Sequence, residues 1–239
     1  MRAAPRSVVA RPARPALKPD DPRIADGHAV LQRFWSGIGQ PDPALLTTGT
    51  APELSGPLSW PGLREAYRVV RREGGLILAT DGLSDPFVGK NIEDESGFGV
   101  ELFLDLPGAQ DMSRENIRAS WAFELLTITA RNVAGFGGIV DRLDRQGTAP
   151  MAMALERNPG EGWSDAAGYV GILIGLPARG IARTLPLPFG AVRIVPVTLL
   201  RADEAGIAAR GEHQRRDIAA ALIAAGHGHR SDLTRPSVL

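Results

Sequence analysis

Cysteine is absent from the 239-residue chain, which excludes a disulfide framework, thiolate catalysis and any zinc centre built on Cys ligands. Metal ligation is left to carboxylates and four histidines. Aromatic residues are scarce at 5%, and lysine is nearly missing, since of 27 basic side chains only Lys18 and Lys90 are not arginine. That bias accompanies richness in Ala and Pro, reads as coding bias, and is given no functional weight. Net charge is missing too: 27 basic residues balance 27 acidic ones, so whole-surface attraction to nucleic acid or to an anionic membrane is not expected. The longest uncharged run, 166–178, has thirteen residues, against the roughly 20 that span a bilayer. A secretory signal needs an apolar stretch of about 7–15 residues, and Val8, Val9 and Ala10 run straight into Arg11. The expectation is a soluble cytoplasmic protein.

At 44% hydrophobic and 23% charged, the chain has the composition of an ordinary folded domain. Residues 1–23 stand apart, with six basic side chains (Arg2, Arg6, Arg11, Arg14, Lys18, Arg23) against Asp20 and Asp21, and five prolines. Proline removes an N–H and disfavours helix before it, so this stretch is expected to be a disordered basic arm, with a single domain over 24–239. A short helix is predicted over 25–35 behind an Asp26 cap, then an irregular proline-rich loop over 41–61. Tyr67–Val70 and Leu76–Ala79, separated by Glu73-Gly74-Gly75, read as a hairpin. In 100–106, Val100, Leu102, Leu104 and Leu106 alternate with Glu101, Phe103 and Asp105, a strand with an aliphatic core face and a face bearing two carboxylates around an aromatic ring. One long helix is predicted over 113–134 and stopped by Gly135, Gly137 and Gly138, and a glycine-lined helix over 165–176. A strand over 192–200 is expected at an edge or bulge because of Pro196, and a last helix over 212–225 with Ile218, Leu222 and Ala225 inward. No repeat is present. The expected fold class is α/β (α+β), a mixed β-sheet packed by helices.

The densest polar segment is Thr80-Asp81-Gly82-Leu83-Ser84-Asp85-Pro86-Phe87, followed beyond the acidic Glu93-Asp94-Glu95 by Gly97-Phe98-Gly99-Val100-Glu101-Leu102. Two readings stand. Asp81, Asp85 and Glu101 converge as oxygen ligands for a divalent cation or as an acid–base pair of a hydrolase or small-molecule site. Alternatively, Asp81 and Asp85 are turn-capping carboxylates and Glu101 is a solvated or paired strand residue. No phosphate loop, nucleophile elbow, zinc-protease motif or dinucleotide fingerprint accompanies them, and no cofactor is expected. His227-Gly228-His229 has the chemistry of a metal clip but reads as an exposed turn. Trp121 falls on the apolar stripe of its helix and is assigned to the core. Phe103, between Glu101 and Asp105, is either covered by a second layer or belongs to an acidic recognition surface for a basic partner.

At these same residues the sequence resembles the suppressor of fused family. The resemblance lies in Leu78-Ala79-Thr80-Asp81-Gly82-Leu83-Ser84-Asp85-Pro86-Phe87, in Gly97-Phe98-Gly99-Val100-Glu101-Leu102 and in Ser120-Trp121 on the following helix, in order and at comparable spacing. It extends more loosely through Asn132-Val133-Ala134-Gly135 to the terminal Arg235-Pro236-Ser237-Val238-Leu239, so that it covers about 67–239. The resemblance implies a non-enzymatic α/β domain that works by binding protein. Animal members sequester a transcription factor. Bacterial members, which this chain looks like, include proposed immunity proteins that neutralise toxins. On that basis Asp81, Gly82, Ser84, Asp85, Phe98, Gly99, Glu101, Phe103, Asp105 and Trp121 are the candidate family-motif or protein-binding residues. The expected partner is a protein, with no membrane, no nucleic acid and an open oligomeric state.

Overall fold

The computed structural model describes residues 16–48, 60–61, 64–88 and 96–239. Most of the expected arm (1–15), residues 49–59 of the proline-rich loop and Glu93-Asp94-Glu95 lie outside the described residues. In chain order the elements are α1 (Pro22–Ser36), β1 (Gln40–Pro41), β2 (Leu46–Thr47), β3 (Ala66–Arg72), β4 (Gly75–Asp81) and β5 (Val100–Pro107). Then come α2 (Arg114–Arg118), α3 (Trp121–Phe136), α4 (Ile139–Gln146), β6 (Ala149–Ala154), β7 (Tyr169–Ile174), β8 (Thr184–Leu187), β9 (Gly190–Leu199), α5 (Ala202–Ala208) and α6 (Glu212–Ala224).

The strands form one mixed sheet in the order β1-β3-β4-β5-β9-β7-β6, with β2 also on β3 and β8 also on β9. β5 and β9 run parallel and every other pair is antiparallel. The alternation of β5 sets its two faces: Val100, Leu102, Leu104 and Leu106 join the main core with Ile117 of α2, Leu125 and Leu126 of α3 and Ile139 of α4. On the opposite face Phe103 packs with Trp35 of α1, Val70, Ile77 and Ile194, while α5 and α6 close over Leu173 and Leu200 through Ala208, Ile218 and Leu222. Arg131 of α3 forks onto the Glu65 carboxylate at 3.0 and 3.2 Å, and the Tyr67 hydroxyl donates to the same group at 3.0 Å, tying the helix to the start of β3. No helix among the described residues is long and apolar enough to cross a membrane.

The hairpin about Glu73 and Gly74 and the strand over 100–107 form as the sequence pattern predicts. Other expectations are corrected. Asp21 caps α1 through the Arg23 N–H, with Pro22 in the first turn, so the helix begins inside the expected arm and Asp26 is not its cap. The predicted helix over 113–134 is two helices. Ser113 accepts from the Asn116 N–H and Ser120 from the Phe123 N–H, and a second N-cap draws the backbone at Ser120 out of helical geometry. The glycine-lined helix is a turn followed by β7. The Asp165 carboxylate accepts from the Ala167 and Tyr169 N–H groups at 2.9 and 2.8 Å, and the run Val170-Gly171-Ile172-Leu173-Ile174 then follows its β preference. β9 lies in the middle of the sheet, not at an edge. The Pro196 carbonyl accepts from the Gly175 N–H at 2.9 Å, and the amide positions of a strand residue face one side, so its missing donor falls there, where the partner changes from β8 to β7. Ala225 is exposed, one residue beyond α6. His229 is buried, contrary to the exposed-turn reading.

Gly171 carries the seat of α5 on the sheet. A Cβ there would lie 2.3 Å from the Ala205 Cβ, so Gly171→Ala is expected to destabilise the protein by about 1–3 kcal/mol, the usual cost of overpacking. On an Ala205→Gly background the same substitution should cost far less by chemical denaturation. Equal losses on both backgrounds would remove this contact from the account.

Candidate functional site: the turn after β4 and the polar side of β5

The pairing of β4 with β5 ends at Ala79 and Phe103, and side chains take over from the ladder. The Thr80 hydroxyl accepts from the Leu102 N–H at 2.8 Å and donates to Oε2 of Glu101. Oε1 of Glu101 accepts from the Gly82 N–H at 3.1 Å, the Ser84 N–H at 2.9 Å and the Ser84 hydroxyl at 2.6 Å. The Phe98 N–H closes the turn onto the Leu83 carbonyl at 2.9 Å. Two glycines permit this closeness: at Gly82, φ +139°, a Cβ would sit 2.3 Å from the Arg64 carbonyl, and at Gly97, φ +50°, 2.3 Å from that of Leu83. The turn and the start of β5 brace one another through a single buried carboxylate.

Around it lies a ring of charge. Asp81 meets Arg64 at 2.5 Å and the Arg68 Nε at 2.8 Å, and Arg68 also donates to Gln32 of α1. Asp85 takes Arg64 at 3.3 Å and lies 2.9 Å from Nε2 of His28 on α1. Burial works to raise the Asp85 pKa, yet His28 and Arg64 outweigh it and the carboxyl is held below its ordinary value. For Arg64, burial is again opposed, by Asp81, Asp85 and Glu101, and the guanidinium is raised further. Among the described residues Glu101 has no cation of its own. Burial first, and the Asp81 charge second, push it up to about 7 against the pull of Ser84 and Thr80.

Farther along β5, Asp105 binds Arg72 and lies 3.0 Å from Nε2 of His229, while its carbonyl accepts from the Ser231 N–H at 2.8 Å. Burial would raise its pKa, and His229 with Arg72 lowers it instead. Between the two carboxylates Phe103 stacks edge-on against Trp35 at 5.8 Å and His229 at 5.8 Å. The Gly99 carbonyl accepts from the Arg193 N–H at 2.9 Å, where the parallel pairing with β9 starts. Phe98 meets Phe87 edge-on at 5.4 Å, and Trp121, in the first turn of α3, is half-buried against the main core.

Asp81, Ser84, Asp85 and Glu101 are therefore brought together, whereas Asp105 belongs to a second cluster and Trp121 to the opposite layer. The expected acidic rim is corrected: Glu101 and Asp105 are 0% and 1% exposed, because α1 and the segment through His229 cover that side of the sheet. Convergence of Asp81, Asp85 and Glu101 is real, but arginines fill the space between them, and among the described residues no three acidic or histidine side chains are placed to hold a metal ion. Sequence reasoning missed Arg64, Arg68, His28 and Arg72. One signal was available, since the hairpin register sets Arg68 opposite Ala79 and Asp81 opposite Ala66, which makes the arginine and the carboxylate diagonal neighbours.

Among solved structures, Drosophila Suppressor of Fused is similar over 91% of this chain and 51% of that chain, with TM-score 0.58 and 16% identity. The chain has a Suppressor of Fused-like fold. It spans about half the length of the Drosophila protein. A chain in the crystal structure of the Sufu–Fu complex is similar at 14% identity and TM-score 0.48, over 88% of this chain and 90% of that one. No family model and no curated protein matches the sequence. Within this Suppressor of Fused-like fold, two of the segments that carry the sequence resemblance, 78–87 and 97–102, are joined through Glu101, while Ser120-Trp121 lies in the opposite layer.

A carboxyl whose pKa is raised on folding, here from 4.5 to about 7, binds a proton in the native state that the unfolded chain does not hold. Its contribution is present in full below about 4.5 and is lost as pH rises through about 7. Asp85 and Asp105, lowered from 3.8, act in the opposite sense in a separate acid window below that value. The stability of the native protein relative to Glu101→Gln, which mimics the protonated form, is thus expected to rise by up to about 3 kcal/mol between pH 7.5 and 4.5. Glu101→Ala, which strips the acceptor from two N–H groups and two hydroxyls, should be worse than Gln at every pH. Urea titrations across this range check both, and a difference between native and Gln proteins that does not change with pH would refute the assignment.

Proposed function

We propose that the chain is a non-enzymatic protein-binding domain that acts in the cytoplasm by holding a protein partner in a stoichiometric complex. The observation that carries this reading is the likeness of fold to Suppressor of Fused over 91% of the chain, together with the sequence resemblance over the turn and β5. Fold alone is an analogy, and the site agrees with it chemically. Asp81, Asp85, Glu101 and Asp105 are each engaged by the chain's own arginine, histidine, hydroxyl or backbone N–H groups, so the cluster serves to hold a frame. A substrate there would have to displace buried ion pairs, whose loss leaves uncompensated charge. In the finer form of this reading, following the bacterial members the sequence looks like, the domain is an immunity protein and its partner a toxin.

The full chain, purified from its native cell, is expected to co-elute in size-exclusion chromatography with one protein at a fixed ratio, and the pair should re-form from separately purified components. Recovery of the chain alone under every growth condition would overturn the binding reading. For the immunity form, co-expression should restore growth to cells producing that partner, and a partner harmless on its own would dismiss it.

A further inference from the structure

A cleft of about 500 Å³ lies on the α2 side of the sheet, far in sequence from Glu101's turn, lined by Leu46 of β2, Arg114, Glu115, Arg118 and Ala119 in and just after α2, and Arg157 in the loop after β6. Its walls are fixed to one another. Arg114 donates to the Ala44 and Leu45 carbonyls at 2.5 and 3.0 Å and lies 3.4 Å from the Asp42 carboxylate, which staples α2 to the segment leading into β2. Glu124 of α3 accepts from the backbone N–H groups of Glu156 and Arg157 at 2.6 and 2.9 Å, which holds the loop after β6 in place.

The arginines differ in what they have left to give. Arg114 is committed to its staple. The Arg157 guanidinium touches Glu124 only at 3.5 Å, which leaves most of its donors open. The Arg118 guanidinium is exposed and makes no side-chain hydrogen bond or close ion pair among the described residues, its charge acting only on Glu115 one turn earlier. With Arg114 balanced by Asp42 and Arg157 touched by Glu124 from one side only, the open guanidinium donors of the cleft are those of Arg118 and Arg157, facing the single lining carboxylate of Glu115 beside the exposed Ala119. A volume in the range of roughly 300–1,000 Å³ admits several side chains, more than one small ion requires. Guanidinium forks pair carboxylates at two points, and charge that meets its opposite across an interface selects the partner and speeds encounter.

We propose that this cleft docks an acidic segment of a protein partner, with carboxylates on Arg118 and Arg157 and an apolar side chain against Ala119. The proposal rests on the protein-binding reading and names the chemistry of the partner.

The test is fluorescence anisotropy of the full chain with a labelled peptide of alternating Leu and Glu, beside the same peptide carrying Gln for Glu. Binding should weaken with salt and be lost with Gln, and Arg118→Glu with Arg157→Glu should reduce affinity by about tenfold or more. Arg118→Gln with Arg157→Gln should act in the same direction, both variants keeping the native melting temperature, while Arg210→Glu, outside the cleft, should leave affinity unchanged. Equal binding of the Gln peptide, or equal loss with Arg210→Glu, would overturn the proposal. So would displacement of the peptide by millimolar inorganic phosphate acting through Arg118, which would make this a small-anion site. Absence of peptide binding while a partner still co-elutes with the chain would sink the cleft and leave the binding reading standing. Binding through Arg118 and Arg157 with no partner in any cell would do the reverse.

Discussion

The carboxylate of Glu101 is buried with no cation in contact among the described residues, an arrangement that costs several kcal/mol unless hydrogen bonds replace the lost water. Here four donors do so: two backbone N–H groups and two hydroxyls, all from the five residues Thr80–Ser84. The dependence runs both ways. Without Glu101 those N–H groups have no acceptor, and without the turn the carboxylate has no solvation. The turn in turn places Asp81 and Asp85, which take Arg64 and Arg68 from β3 and the segment before it and, through His28 and Gln32, the helix α1. One acceptor thus fixes the geometry of a layer that joins residues 28 to 101.

The same strand does this again at its other end. Every second residue of β5 on the polar side engages a segment distant in sequence: Glu101 the turn, Phe103 the Trp35 ring of α1, Asp105 both Arg72 and the stretch at His229 and Ser231. The end of the chain is held in a related way. Arg235, buried, reaches Glu204 at 2.5 Å, the Leu199 carbonyl at 3.2 Å and the face of Trp163 at 5.1 Å. Buried ion pairs contribute little net stability compared with apolar packing, but losing one partner is expensive. Their effect is to penalise alternative arrangements of α1 and the 229–235 segment more than to deepen the native well.

What was legible in the sequence follows from this division. Alternation and hairpin punctuation report local geometry, so β3, β4, β5 and the final helix could be read from apolar residues alone. The spacing of Gly168, Gly171 and Gly175 suggested a helix face because glycine has no preference of its own. The β-branched and aliphatic residues between them decided for strand, and only the packing of Ala205 explains Gly171. The break at Ser120 depended on a cap competing within an apolar stripe. α4, β6 and α5 were not read, since their patterns are short and acquire meaning only against the sheet. That Asp81, Ser84, Asp85 and Glu101 crowd one polar segment and the strand beside it was visible, but their burial was not, because the cover comes from α1, whose His28 lies 57 residues before Asp85. A polar strand face looks the same in sequence whether water or a second layer lies above it.

That ambiguity also governs the arginines. A formal charge of zero suggests a surface without a field, yet neutrality is achieved unevenly. Arg64, Arg68, Arg71, Arg72, Arg131 and Arg235 are each cancelled at contact distance by a carboxylate inside or at the edge of the core. Ion pairs closed at this range project little potential beyond the Debye length of about 8 Å. The field available to a partner therefore comes from the charged groups, of either sign, that the fold leaves uncommitted, and its direction is set by where they cluster, not by how many the chain contains. Because α2 is stapled by Arg114 and the loop after β6 by Glu124, such a cluster is held in place before any partner arrives. Less ordering entropy is then spent on association, which is the physical advantage a rigid frame offers to a binding domain.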